Sequence, residues 1–348
     1  MARLRRVDCG ESGFQRRRHG RGFAYLDGDG ERIDDAATLE RIRALAIPPA
    51  WQDVWICPLP NGHIQATGVD AAGRKQYRYH DDWRVRRDAA KFDSMVRFAE
   101  RLPAVRARVE DDLELGGMPR ERALACAVRL LDRGSFRIGS EGYAEENETY
   151  GLATLRRDHV TVSGDAVTFD YAAKGGLARR QRVIDEQAAA AVATLLRRRG
   201  GGELLAFKQG GRWRDVRSTD INAYLKQASG DDFSAKDFRT WNATVLAAIA
   251  IAVSGQVAGD SRTARKRAVR RAIEEVAHHL GNTPAVCRAS YIDPRVFDRF
   301  DGGLTIGGVL PELATEAEDW PAVQRTVEEA VLDLIAGDES SAAIERAA

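Results

Sequence analysis

The sequence predicts an α+β protein, in which a small β-rich domain precedes a larger, mainly α-helical domain that contains a β-hairpin. Two patterns predict this class. Short alternating runs separated by Gly, Asn and Asp turns dominate residues 23–84. Long segments with apolar residues at helical spacing dominate residues 85–310. A chain of 348 residues is also long enough to form two cores.

The two ends of the chain are expected to lie outside these domains. Residues 1–22 are rich in arginine and glycine and are predicted to form a mobile basic arm. Residues 311–348 carry ten acidic and two basic side chains. They are predicted to form one amphipathic helix in an acidic, solvated tail.

The net charge of +1 conceals a basic body, because the first 310 residues carry a charge of +9. The chain has 46 arginines and only 7 lysines. A GC-rich genome would produce this bias without functional meaning, but arginine is also the better bidentate ligand for phosphate oxygens. The segregated charge fits a nucleic-acid binder.

Several features point to a soluble protein of the cytoplasm. The four cysteines are scattered, without a C-x-x-C pair, as expected for free thiols in a reducing compartment. The N-terminus lacks the apolar segment of a signal peptide. The longest apolar run, Ala243–Val253, is too short to cross a bilayer.

Turn residues organise the predicted N-terminal domain. Residues 22–33 (GFAYLDGDGERI) predict two short strands joined at the Gly/Asp turn. Their acidic residues resemble the start of a calcium loop, but Arg32 stands where that loop requires glycine. Residues 34–47 predict a short amphipathic helix, and residues 53–70 alternate like strands around an Asn-Gly turn.

Apolar spacing predicts eight helices after this domain. They cover about 84–101, 103–115, 119–133, 185–199, 217–228, 234–253, 261–280 and 320–336. Ser234 and Asp237 are typical of a capping box, and an apolar stripe follows them at Phe238, Trp241, Val245, Ile249 and Val253. Residues 159–176 predict a hairpin that carries Lys174 just past its second strand.

Many catalytic motifs are absent from the sequence. It contains no H-E-x-x-H, no Cys/His metal set, no P-loop and no G-x-S-x-G. Acidic pairs are adjacent in sequence and would splay apart, so the converging carboxylates of a two-metal nuclease are not evident. No metal or other cofactor is predicted.

Phosphodiester transfer without a metal needs a nucleophile, donors to the phosphate oxygens and an acid for the leaving oxygen. A tyrosine can attack phosphorus, two arginines and a neutral donor can hold the non-bridging oxygens, and a lysine can protonate the 5′ oxygen. Five residues match these types: Arg137, Lys174, Arg239, Asn282 and Tyr291. Because the chain has 46 arginines, a match of residue types is weak evidence, and longer motifs must show whether these five residues form an active site.

Six longer segments carry a family resemblance. They are residues 47–84, FRIGSEGY (136–143), ENETYGLATL (146–155), FDYAAKGG (169–176), KDFRTW (236–241) and LGNTPAVCRASYIDP (280–294). Together they resemble type IB DNA topoisomerases, specifically the small poxvirus-like bacterial group. The resemblance covers roughly residues 20–305, and it implies the mainly helical catalytic domain that this family shares with tyrosine recombinases.

The resemblance implies a role for each catalytic candidate. Tyr291 would be the nucleophile that forms a 3′-phosphotyrosyl link and releases a 5′ hydroxyl. Arg137 and Arg239 would bind the scissile phosphate, and Lys174 would be the general acid. Lys236, one helical turn before Arg239, would support the leaving-group side.

Two positions depart from the poxvirus pattern. Asn282 replaces a histidine, although an amide can also hydrogen-bond to a phosphate oxygen. Asparagine also favours helix ends, so a local role for Asn282 stays open. Ser140 replaces a base-reading lysine, so the strict sequence preference of the viral enzymes is not implied here.

Contacts with DNA are also expected outside the catalytic set. Some come from the resemblance, and others from residues 261–271, where six basic residues within ten favour phosphate contact. The expected DNA-binding residues are Gln76, Tyr77, Tyr79, Tyr143, Arg262, Arg265, Lys266 and Arg267. A QYRY strand would place Tyr77 and Tyr79 on one face. Packing of the small domain is the alternative role for these tyrosines, and a solvated helix face is the alternative for residues 261–271.

The resemblance implies an enzyme that relaxes positive and negative supercoils without ATP or metal. It is expected to be a nucleoid-associated monomer that clamps duplex DNA and does not bind membranes. One alternative is a site-specific tyrosine recombinase, but such enzymes usually carry H-x-x-R where this chain has Lys236-Asp-Phe-Arg239. The other alternative is a non-catalytic DNA clamp, which would not need all five catalytic candidates.

Overall fold

The computed structural model describes residues 3–142, 144, 148–199, 202–258, 261–315 and 320–346. The chain divides into two compact units, Met1–Asp93 and Ser94–Ala348. The first is built on a β-sheet and the second is largely helical, which confirms the predicted α+β class. No helix of the described ranges is long and apolar enough to span a membrane.

An antiparallel five-stranded sheet with the order β2-β1-β3-β4-β5 forms the first unit. The strands are β1 (Phe14–His19), β2 (Gly22–Leu26), β3 (Gln52–Ile56), β4 (Ile64–Val69) and β5 (Lys75–Tyr79). Helix α1 (Ala36–Ala44) begins at Asp35, whose side chain accepts from the Thr38 N–H at 2.8 Å. Ile42 of α1 shares a small core with Ile56 of the sheet.

The first unit differs from the prediction at two places. Residues 14–19 are not part of a free arm, because β1 pairs with both β2 and β3. Residues 28–33 do not form a strand partner for β2 and contribute only an isolated bridge. The Asp27 carboxylate instead closes this turn, accepting from the N–H groups of Asp29 and Glu31 at 3.0 and 2.9 Å.

Helices and three small sheets form the second unit. The described helices are α2 (Asp81–Leu113, which starts in the first unit), α3 (Arg120–Gly134), α4 (Glu186–Leu196), α5 (Ser218–Ser229), α6 (Ala235–Ala258), α7 (Arg262–Leu280), α8 (Pro284–Ser290), α9 (Pro294–Asp301), α10 (Leu310–Thr315) and α11 (Trp320–Ala336). The strands are β6 (Val160–Ser163), β7 (Ala166–Ala173) and β8 (Leu177–Ile184) in one sheet, β9 (Ala206–Gln209) with β10 (Arg212–Asp215), and β11 (Leu304–Thr305) with β12 (Glu345–Arg346).

Helix α2 is continuous where the sequence predicts a break at Pro103. Proline removes one helical hydrogen bond and crowds the preceding turn. Pro103 is exposed, whereas Phe98, Leu102 and Val105 on either side of it are buried. Packing of both halves into one core therefore outweighs the local cost of the proline.

Helix α6 passes through the core of the second unit. Phe238 packs edge-to-face on Phe98 with ring centroids 5.0 Å apart, and Trp241 is fully buried. The predicted apolar stripe ends before the last turns of α6, because Val253 is 53% exposed. The buried first half of α6 fixes the residues that face the site described below.

The acidic C-terminal segment contains the helix predicted over residues 320–336, but this helix packs into the second unit and is not part of a solvated tail. Helix α11 buries Val327, Val331 and Leu334. Arg106 of α2 binds both Glu328 of α11 and Asp132 of α3, at 2.6 and 2.8 Å. The acidic residues of this segment thus partly serve as partners for buried arginine.

Candidate active site

Tyr291 stands at the end of α8, immediately before α9. Its N–H group donates to the Cys287 carbonyl at 2.9 Å. The buried hydroxyl of Thr244 on α6 lies 3.3 Å from the Tyr291 carbonyl oxygen and accepts from the Asp293 N–H at 3.1 Å. The backbone of Tyr291 is therefore held by α6, through a threonine that the sequence analysis missed.

Arg239 lies in the second turn of α6 and is only 3% exposed. Helix α6 starts at the predicted capping box, in which the Asp237 carboxylate accepts from the Ser234 N–H at 2.7 Å. Arg239 donates to the carbonyls of Ser135 and Leu280, the latter at 3.0 Å. Its guanidinium carbon lies 5.4 Å from the centre of the Tyr291 ring. The two predicted catalytic residues are thus neighbours.

Arg137 is placed by a loop that follows α3. The Arg137 carbonyl accepts from the Leu152 N–H at 2.8 Å. A Cβ on Gly151 would overlap the backbone of Gly139, so this close approach of two chain segments requires glycine. The Arg137 guanidinium donates to the Gly281 carbonyl at 2.8 Å and to the side-chain oxygen of Asn282.

Asn282 has the local helix-end role that its sequence left open, and its side chain also contacts Arg137. Gly281 ends α7 in the left-handed conformation, with φ of 60°, and the Asn282 N–H returns to the Ala277 carbonyl at 2.9 Å. The side-chain oxygen of Asn282 meanwhile accepts from Arg137. Its Nδ2 is buried and has no acceptor among the described residues.

Three arginines hold three consecutive carbonyls at the end of α7. Arg179 of β8 donates to His279, Arg239 to Leu280, and Arg137 to Gly281. The last carbonyls of a helix lack partners within it and carry the negative end of the helix dipole. This helix end therefore collects positive charge from three separate elements.

The arginine cluster carries positive charge that no carboxylate of the described residues neutralises directly. Arg137, Arg179 and Arg239 form no salt bridge in the part of the chain that the structure describes. Burial, and then the charge of Arg137, lowers the pKa of Arg239 to about 10. Burial also lowers the pKa of Arg179 from its ordinary value. A phosphate is the kind of anion that suits a cluster of guanidinium groups.

Lys174 stands on the turn that joins β7 to β8. Gly175 and Gly176 follow it with φ of 84° and 72°, which permits the tight turn. Lys174 is exposed and has no hydrogen bond or ion pair within the described ranges. With Arg137 and Ser140 it lines a pocket of about 280 Å³.

The remaining predicted residues lie in other surroundings. Lys236 is exposed in the first turn of α6, and no contact joins it to the arginine cluster among the residues described. Tyr77 and Tyr79 share one face of β5, as predicted, with near-parallel rings 6.0 Å apart. Gln76 donates to the Asp70 carboxylate at 2.9 Å. Tyr143 lies outside the described residues.

The basic residues of α7 divide into two kinds. Arg262, Lys266 and Arg267 are exposed. Arg265 is partly buried, and its guanidinium reaches the carbonyls of Phe300 and Asp301 at 3.4 Å. Arg265 therefore supports the end of α9 in addition to any contact it makes with DNA.

Comparison with known proteins identifies the family. A family model described as "Eukaryotic DNA topoisomerase I, catalytic core" matches residues 80–300, which is more than half of the chain. The chain belongs to the type IB DNA topoisomerase family. A second model, described as "Bacterial DNA topoisomerase IB, N-terminal domain", matches residues 22–70 of the topoisomerase.

Individual relatives agree with this assignment. The topoisomerase is 28% identical over 289 residues to DNA topoisomerase 1B of Acanthamoeba polyphaga mimivirus, covering 80% of this chain and 85% of the relative. It is 26% identical over 107 residues to DNA topoisomerase 1B of Vaccinia virus, covering 31% and 34%. It is 29% identical over 160 residues to DNA topoisomerase 1 of Schizosaccharomyces pombe, covering 45% and 19%.

These matches confirm that the protein is a type IB topoisomerase, an enzyme whose substrate is duplex DNA. They favour a topoisomerase over the alternative of a tyrosine recombinase. The described residues contain no group of His, Cys, Asp and Glu that could hold a metal ion. The arginine cluster beside Tyr291 lies within the matched catalytic core.

Proposed function

We propose that Tyr291 cleaves one strand of duplex DNA while Arg137, Arg239 and Asn282 hold the scissile phosphate and Lys174 protonates the leaving oxygen. One observation carries this proposal. Two arginines and an amide converge beside a tyrosine, and no salt bridge to a carboxylate neutralises them among the described residues. A phosphodiester would supply the missing negative charge.

The cleavage step exchanges one phosphate ester for another. The Tyr291 hydroxyl oxygen attacks phosphorus and loses its proton to solvent, and the bond between phosphorus and the 5′ oxygen breaks. The 5′ oxygen takes a proton from Lys174 and leaves as a hydroxyl, and a 3′-phosphotyrosyl ester remains. Religation is the reverse reaction. Since the two esters are similar in energy, DNA strain drives relaxation and no ATP is needed.

The arginines stabilise the charge that develops on the non-bridging oxygens. Arg137 and Arg239 are already oriented by backbone carbonyls, so little reorganisation is needed when the phosphate arrives. The Nδ2 of Asn282 lacks an acceptor in the described structure, and a phosphate oxygen would provide one. Removing one such donor typically costs about 10²–10³ in rate.

The residues of the first unit would bind the same duplex. Tyr77 is 44% exposed beside Tyr79, as expected for a surface that receives a ligand. We also propose a tyrosine-recombinase-like catalytic fold, and a monomer that clamps DNA without a metal. Sedimentation of the protein with one duplex tests the monomeric state. Plasmid relaxation in EDTA tests whether the enzyme works without a metal.

Tyr291→Phe tests the nucleophile directly. The variant should lose all relaxation of supercoiled plasmid, because phenylalanine has no oxygen to attack phosphorus, and it should bind a duplex as tightly as the parent. Tyr25→Phe, in the sheet of the first unit, is the matched control and should relax plasmid normally. Relaxation by Tyr291→Phe would overturn the assignment.

A further inference from the structure

A cavity of about 360 Å³, separate from the pocket beside Lys174, is formed by β8 and the ends of α3 and α7. Arg179 is one of its lining residues. The volume of the cavity is within the range of small-ligand sites, about 300–1,000 Å³. Its charged lining residues are Arg133, Arg179, Arg180 and Arg182, with His278 and His279 beside them. None of the residues that line this cavity is acidic.

The nearest carboxylates have other partners. Asp132 receives two hydrogen bonds from Arg106, at 2.8 and 2.9 Å. Asp185 accepts from Arg129 at 2.9 Å and caps α4, and it stays 3.9 Å from the Nε of Arg133. Asp185 is thus a distant ion-pair partner of Arg133, whereas Arg179, Arg180 and Arg182 have no ion pair among the described residues.

Arg133 shows that an acceptor is missing at this cavity. Its Nη1 donates to Gln324 at 2.6 Å, but its Nε is buried and has no hydrogen-bond acceptor among the described residues. An unpaired N–H group of a buried guanidinium is costly. An anion in the cavity would bring acceptors to a wall that carries four arginines and no acidic side chain.

The position of the cavity indicates which anion it receives. β8 is the outer strand of the three-stranded sheet, and it begins three residues after Lys174. Arg180 and Arg182 lie two residues apart on β8, hence on one face, and both are exposed. Asp170 stands opposite Arg180 in the strand register, without an ion pair in the described structure. The same hairpin thus carries the proposed acid and a row of phosphate ligands.

We infer that this cavity binds a phosphate group of the DNA backbone, away from the phosphate that Tyr291 attacks. Arg180 and Arg182 would contact it from β8, and Arg133 would contact it from α3. Arg179 links the two sites, because it lines the cavity and also holds the His279 carbonyl at the end of α7. The inference rests on duplex DNA as substrate, and not on the catalytic roles proposed above.

The test measures how salt weakens DNA binding. Each phosphate that a protein neutralises contributes about 0.9 to the slope of log K against log salt concentration. Arg180→Gln with Arg182→Gln, made in a Tyr291→Phe parent, should lower that slope by about 0.9. The parent binds without cleaving, so failure of the catalytic proposal would not affect the result. Thermal melting of the variant should match that of the parent, since both side chains are exposed.

Arg325→Gln with Arg346→Gln is the matched control. It removes the same two charges from the acidic C-terminal segment, where both arginines are exposed and paired with glutamate. Its slope should equal that of the parent. If it falls as far as that of the β8 variant, the effect is general loss of charge and the inference is wrong.

A second measurement separates the two sources of a phosphate group. Calorimetric titration of the parent with inorganic pyrophosphate should show no binding if the cavity is shaped for DNA backbone. Binding that the β8 substitutions abolish, with an unchanged DNA slope, would overturn the backbone assignment and assign the cavity to a free phosphate ligand. No change in either measurement would overturn the site altogether.

Discussion

The arginine cluster at the end of α7 and the turn that carries Lys174 are built in opposite ways. Arg239 is almost fully buried and is fixed by carbonyls of two different elements. Lys174 is exposed, is followed by two glycines, and has no partner in the described ranges. The proposed phosphate-holding part is therefore already formed in the protein alone, whereas the proposed acid would still have to be positioned by its substrate.

This difference follows from the chemistry of the two side chains. Guanidinium is planar and weakly hydrated, and its fixed donors match carbonyl and phosphate oxygens. An ammonium group is a strongly hydrated point charge on a flexible stem, which suits a side chain that reaches a substrate from an exposed turn. The four predictions below test whether the two parts contribute in these separate ways.

Arg239→Ala should have the largest effect, a loss of about 10³ in single-turnover cleavage of a duplex. It should also lower the melting temperature, because the carbonyls of Ser135 and Leu280 lose their donor. Arg239→Lys keeps the charge but cannot bond both carbonyls, and it should recover only part of the rate. Cleavage by the alanine variant at the parent rate would remove Arg239 from the phosphate site.

Asn282→Ala should slow cleavage by about 10², because it removes an amide donor and leaves Arg137 without one acceptor. Asn282→His, the residue type of the poxvirus enzymes, should retain most of the rate in the same assay. If both variants lose activity equally, the position serves only the end of α7.

The sequence predicted most of the helical unit because its pattern is local. Helices α3 and α7 were placed within a residue or two, since their apolar residues recur at helical spacing. The catalytic candidates were identified through the motif resemblance. Their spacing in the sequence does not show which of them lie together in the fold. Strand β8 was missed because four consecutive polar residues, Arg179 to Arg182, interrupt the alternation of LARRQRVI. Arg179 of β8 was missed for the same reason, and its partner, the His279 carbonyl, lies 100 residues away in the sequence.

The ends of the chain were misread for a related reason. Composition predicted an arm and a solvated tail. Strand β1 is nevertheless held in the sheet by backbone pairing with β2 and β3, which its charged side chains do not prevent. Helix α11 is held by a buried apolar stripe and by an ion pair between Arg106 and Glu328. The sequence does not reveal this pair because its two residues lie far apart in the chain. Charge patterning thus did not predict which segments at the ends of the chain pack into the fold.

Arg179→Gln should have a smaller effect, about tenfold on cleavage, because Arg179 positions the end of α7 without touching the reacting atoms. The loss should appear in the single-turnover rate at saturating DNA, and Arg179→Lys should recover part of it. A merely structural role would lower the melting temperature and leave the saturated rate unchanged. Arg212→Gln on β10 is the matched control for loss of one exposed-strand arginine.

The most direct test compares Lys174→Ala with Arg239→Ala on two duplexes, one with the normal 5′ oxygen and one with sulfur at that position. A thiolate leaves without a proton, so it needs no general acid. On the oxygen substrate both variants should be slow, with Lys174→Ala reduced by about 10²–10⁴. On the sulfur substrate Lys174→Ala should cleave close to the parent rate while Arg239→Ala stays slow. Equal slowness of the two variants on both substrates would contradict the division of the site into a preformed phosphate clamp and a separate acid.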